Sequence, residues 1–128
     1  MKEHVELEKA IVEKIDLDIL ITKYRPNASI NEVDAEKIDN AHIDMSQGNE
    51  MFIVADITAS QAQIKKSAEE YFIHKGKMIP YTKAIAIVTN HKSSIIEKLF
   101  SGNSKTLYPT KEFSSLDEAQ KWFDSLRI

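Results

Sequence analysis

The sequence predicts an α/β fold on a mixed sheet of about five strands with four helices, in the order β-β-α-β-α-β-α-β-α. Three observations predict it. Two apolar runs, MFIVADI at 51–57 and KAIAIVT at 83–89, have strand length and carry no polar alternation, the pattern of strands covered on both faces. Segments with helical apolar spacing follow them. The chain also opens with VELEKAIVEKIDLDILITKY, where two β-branched runs flank a polar break at Asp16 to Asp18, as in a hairpin. A hairpin followed by alternating helices and strands implies right-handed crossovers onto a mostly parallel sheet, with an antiparallel strand from the hairpin.

Each later element has its own signal. Pro26 and Asn27 end the hairpin, and Val33, Ile38, Ala41 and Met45 then recur at helical spacing, with Ser29 and Glu32 or Asn31 and Asp34 as alternative entry caps. After MFIVADI, Ser60 and Gln63 form a capping-box pattern ahead of Ile64, Ala68, Tyr71 and Phe72, which share one face of a second helix. After KAIAIVT, the segment NHKSSIIEKLFSG carries Ile95, Ile96, Leu99 and Phe100 on a short third helix, with Asn90 as its cap. TLYPTKEF reads as a last short strand. Ser115 and Glu118 then cap a final helix whose stripe is Leu116, Ala119, Trp122, Phe123 and Leu126. With no internal repeat or low-complexity linker, residues 1–128 read as a single domain.

Composition excludes several functions. An apolar content of 42% with 29% charged residues is that of a globular chain able to bury its own core. Without cysteine there is no disulfide, thiolate metal site or cysteine nucleophile. A net charge of −3, with lysines interleaved among acids, predicts no nucleic-acid partner. No apolar run is long enough for a transmembrane segment or a signal core, so a cytoplasmic protein is expected. Gly48, Gly76 and Gly102 each fall just past a predicted helix, where a left-handed residue stops it, leaving no glycine for a phosphate-cradling loop. No cofactor is expected.

The histidines, His4, His42, His74 and His91, show no pair at metal-ligand spacing, so no metal site is expected. Asp39 with His42, and Glu70 with His74, read as solvated neighbours on helix surfaces. Lys105, Tyr108 and Lys111 read as an ordinary loop before the last strand. In open α/β sheets, ligands gather beyond the carboxyl ends of the parallel strands, which here means Asp56 to Ser60 and Thr89 to Ser93. The candidate binding or regulatory residues are therefore Asp56, Thr58, Ser60, Asn90 and His91. Asp56 ends a buried strand, where a carboxylate needs hydrogen bonds or a cleft. Ser60 is accounted for as a helix cap and His91 as a first-turn residue, each with a second reading as a functional group.

Taken together, the hairpin, IVADI, SQAQIKKSAEEYF, AIAIVT and the tail YPTKEFSSLDEAQKWFDSL resemble the STAS or SpoIIAA-like family of anti-sigma factor antagonists over nearly the whole chain. The tail is similar to the P-T-x-x-F and E-A-x-x-W ending of small bacterial SpoIIAA-like proteins. The resemblance implies a right-handed β-α superhelix whose loop after the central strand carries a phosphorylatable serine and docks a partner kinase. Ser60 stands in the comparable place. Members that switch by phosphorylation carry an Asp-Ser-Ser-Gly-like motif there, and this chain has Thr58-Ala59-Ser60-Gln61.

The expected function is a non-catalytic regulatory or protein-interaction module with a protein partner. The alternative is a small-ligand or lipid-binding protein, since SpoIIAA-like folds resemble the CRAL-TRIO lipid-binding group. An enzyme using Asp56 and His91 as an acid–base pair ranks third. A homodimer through an exposed sheet edge is compatible with all three.

Overall fold

The computed structural model describes residues 3–90 and 108–127. Its main sheet has six strands in the order β1 (His4–Glu6), β2 (Ala10–Asp16), β3 (Ile19–Tyr24), β5 (Met51–Asp56), β7 (Thr82–Val88) and β8 (Thr110–Phe113). The opening hairpin forms as read, with β2 (Ala10–Asp16) antiparallel to β3 (Ile19–Tyr24) and a register shift between Lys14 and Asp16 near the turn. The strand count is higher than expected because β1 (His4–Glu6) adds to the free edge of β2, pairing Val5 with Val12. Its residues are exposed or half-buried, so it carries almost no apolar signal.

After a two-residue strand β4 (Ser29–Ile30), α1 (Glu32–Ser46) begins at the second of the two alternative caps. The Asp34 amide donates to Asn31 Oδ1 at 3.0 Å, and the Asn31 amide donates to Asp34 Oδ2 at 3.1 Å, closing a capping box. Ala35, Ile38, Ala41 and Met45 are buried along the helix, whereas Val33 is 61% exposed because it faces away from that stripe. Gln47 and Gly48, both at positive φ, stop the helix.

β5 (Met51–Asp56) is buried as predicted and lies parallel to β3 and to β7 (Thr82–Val88), and β8 (Thr110–Phe113) joins β7 in parallel. The second helix departs from expectation. Ser60 and Gln61 form a turn with Gln61 at φ 63°, and Gln63 and Ile64 form β6, a parallel partner of β4. The helix α2 starts only at Lys66 and runs to Glu70, and Tyr71–Lys75 continue it as a wider π turn. Ser60 is therefore no helix cap. Long-range pairing overrides the local capping pattern, because the Gln63 amide donates to Ala28 O and the Lys65 amide to Ile30 O. Gly76 is also corrected: its φ of −60° is not left-handed. A side chain there would meet Asp39 Oδ1 and the Phe72 carbonyl at 3.4 Å, so glycine serves a close approach. The predicted third helix and Gly102 lie outside the described residues.

The last helix, α3 (Leu116–Leu126), starts where predicted, with Ser115 Oγ accepting from the Glu118 amide at 3.3 Å. The Glu118 carboxylate returns to Ser114 rather than Ser115. Phe123 is fully buried, Trp122 is half-buried beside it, and Leu126, expected inward, is 40% exposed as the last residue of the helix.

The sheet thus separates two layers. Ile19, Ile21, Phe52, Val54, Ala84, Ala86 and Val88 face α3, where Phe52 and Phe123 stack at 4.6 Å. Arg127 follows α3 and pairs with Asp18 at the hairpin turn, holding that carboxyl below its ordinary value mainly through the hydrogen bond. Alternate residues of the same strands face α1, α2 and the π turn on the opposite side.

Candidate functional site

The two expected loops do come together. Asp56 is in register with Val88, and the Ile57 amide donates to the Val88 carbonyl at 2.8 Å. Asp56 Oδ1 accepts from the Thr58 amide at 3.0 Å and from Thr58 Oγ1 at 2.6 Å, a local turn that accounts for an acid at a strand end. Asn90 spans the two loops, its side-chain amide donating to Thr58 O at 2.9 Å. Ser60 is exposed, and its carbonyl accepts from the Asn27 amide at 2.8 Å. His91 lies outside the described residues. Among the described residues, the rim is a hydrogen-bonded loop pair in which Asp56 and Thr58 are occupied with each other.

The larger feature lies on the helix side of the sheet. A cavity of about 90 Å³ is bordered by Ile53 and Ala55 of β5, Ile85 and Ile87 of β7, and Phe72 and Ile73 of the π turn. It forms there because α2 is short and late: residues 57–65 are spent on turns and β6, leaving one turn of α-helix and a π turn against the central strands.

A polar strip borders this apolar space. Thr22 of β3 and His42 of α1 meet at 2.7 Å between Oγ1 and Nε2. Burial pushes the His42 pKa down to about 4, against the opposing pull of Asp39, so the imidazole is neutral near pH 7. Asp39 is 2% exposed and accepts from Tyr71 OH at 3.1 Å, the Lys77 amide at 2.7 Å and the Met78 amide at 3.1 Å. These bonds stabilise the buried carboxylate and fix the chain after the π turn against α1. Burial also raises the Tyr24 phenol above its usual range and the Tyr108 phenol to about 12, with Asp39 adding to the second. Both tyrosines border the cavity.

Asp39 and His42 are thus not the solvated pair their spacing suggested, and Tyr108 is buried rather than part of an open loop. Glu70 and His74 are exposed, as read. The cavity has no sequence motif because its walls come from separate strands and turns. The available signal was the placement of Thr22 and His42 within otherwise apolar stripes. No group of three or more His, Asp or Glu residues that could hold a metal ion occurs among the described residues. No helix among them is long and apolar enough to cross a membrane.

The mixed six-stranded sheet, with helices on both faces, defines an α/β protein of SpoIIAA-like fold. A crystal structure of an uncharacterized protein of the DUF3478 family with a SpoIIAA-like fold, from Shewanella loihica PV-4, superposes with a TM-score of 0.57 over 93% of this chain and 89% of that one, at 16% identity. The chain itself belongs to the family described as domain of unknown function DUF7793, whose profile matches residues 14–127. No curated protein matches this chain.

Proposed function

We propose that this chain is a non-catalytic SpoIIAA-like binding module that takes a small, largely apolar ligand into the helix-side cavity. The supporting observation is the cavity itself, a space of about 90 Å³ with isoleucine, alanine and phenylalanine walls and a few buried polar groups along one side. Size narrows the ligand. An apolar cavity of about 150 Å³ accepts benzene, and drug-sized ligands need about 300 Å³ or more. A small branched aliphatic molecule, of fewer atoms than benzene, fits this space better than a ring or a phospholipid.

Native mass spectrometry of protein isolated from its source tests the reading, with Ala55→Leu as the cavity-filling control. A bound small molecule on the wild type that is absent from the variant is the expected result. Ligand-free wild type, with no apolar probe shifting the NMR signals of Ile53 or Ile87, would overturn it.

The rim loop supports a second reading as a protein-docking surface with Asp56, Thr58, Ser60, Asn90 and His91 as its residues. Ser60 is exposed on a loop held by Asn90 and Asn27, which favours access by a partner or kinase. A phosphate there would lack the helix N-terminus that stabilises such groups, since α2 begins at Lys66. Unchanged partner capture by Ser60→Asp would count against a switch.

A further inference from the structure

We infer that the Tyr24 hydroxyl is the polar anchor of the cavity, and that the ligand is an uncharged molecule with one hydrogen-bond-accepting oxygen on a small apolar body. This rests on the ligand-binding reading and specifies its chemistry. Tyr24 ends β3 and alternates with Leu20 and Thr22 onto the helix side, where it packs with Ala10, Ile38 and Tyr71. It is 6% exposed and borders the cavity, and its hydroxyl has no hydrogen-bond partner among the described residues. A donor with no protein partner at the border of an apolar space can give its hydrogen bond to a ligand oxygen placed there.

Two other polar groups on this side differ. His42 is bonded to Thr22, and Asp39 already accepts from Tyr71 and two backbone amides. Because burial disfavours the phenolate, Tyr24 keeps its proton at neutral pH and acts as a donor. Charge selects further. The walls are mostly hydrocarbon, with Ile53, Phe72, Ile85 and Ile87 among them, so an anion would be stripped of its water there. A cation would lose its hydration against walls that are mostly hydrocarbon.

Three probes of similar size separate the possibilities: acetone, 2-methylpropene and isopropylammonium, titrated by NMR into wild type and Tyr24→Phe. The variant removes only an unbonded hydroxyl, and urea denaturation confirms that both proteins are folded. Tyr24→Phe is expected to weaken acetone about five- to tenfold, the worth of one hydrogen bond, and to leave 2-methylpropene within about twofold. Isopropylammonium is expected to bind wild type at least about tenfold more weakly than the ketone. If the variant weakens neither probe, or both equally, the anchor is wrong while the ligand-binding reading stands. Tighter binding of the ammonium overturns the uncharged class. If no probe binds either protein, the ligand-binding reading fails and the anchor with it.

Discussion

The two faces of one sheet are built to different standards. Toward α3, Ala84 and Ala86 are fully buried beside Phe52 and Val54, and Phe123 fills the space that the small residues leave. Large and small side chains interdigitate there in the manner of a dense interior. Toward α1 and the π turn, the next residues of the same strands, Ile53, Ala55, Ile85 and Ile87, border a cavity. That layer also holds buried polar groups, Asp39, His42, Thr22 and Glu69, along the cavity. A strand's alternation therefore assigns one set of side chains to stability and leaves the other set free to shape a site.

Truncation should separate the faces most sharply. Phe123→Ala is expected to cost about 4 kcal/mol, because it opens a hole in a filled layer, and Ile87→Ala about 2 kcal/mol, because that side chain already borders empty space. Equal costs by urea denaturation would break the comparison.

Acid is the next test, and between pH 6.5 and 4 it acts on the cavity face through His42. The folded-state value for His42 of about 4 lies below the ordinary 6.5. Between pH 6.5 and 4 the unfolded chain takes up a proton that the folded chain refuses, so this contribution is complete above pH 6.5 and is lost as pH falls through that window. The loss should reach roughly 2–3 kcal/mol near pH 4. A His42→Gln variant should show a stability profile flatter by that amount, and an unchanged slope would place the acid sensitivity elsewhere.

The smallest effect is a matched insertion. Ala86→Leu should destabilise by about 1–3 kcal/mol through overpacking against the α3 layer, whereas Ala55→Leu, entering the cavity, should change stability by less than about 1 kcal/mol. Thermal unfolding of the two variants side by side measures the difference.

Legibility in the sequence followed the same division. The hairpin, MFIVADI, KAIAIVT and the Ser115-capped helix were readable because each is specified by local pattern, and together they make the α3 face. Strand β1 was missed because its residues are exposed or half-buried at an edge. The second helix was placed too early because Ser60 and Gln63 satisfy a local capping rule that the pairing of Gln63 and Ile64 with Ser29 and Ile30 overrides. Its apolar face was nonetheless identified, since Ala68 and Tyr71 are buried. In the candidate site, the Asp56 and Asn90 loops were each legible as strand ends, but their meeting depends on β5 and β7 being neighbours, which no local pattern specifies. The cavity did not follow, because it depends on how late α2 begins, and that is set by partners more than 30 residues away in sequence.

Asp39 has one more consequence, in the order of synthesis. Its carboxylate is made with the first half of the chain, but two of its donors, the Lys77 and Met78 amides, arrive 38 and 39 residues later. A nascent chain emerging N-terminus first holds β1 to α1 before it holds anything to complete Asp39. Helix α1 can form early, yet it docks with its acid satisfied only once Met78 has left the ribosome. The side of the sheet that carries the cavity is therefore the side that a growing chain finishes after the passage of the π turn, and a chain cut short before residue 77 would carry an exposed or unpaired acid in place of a closed layer.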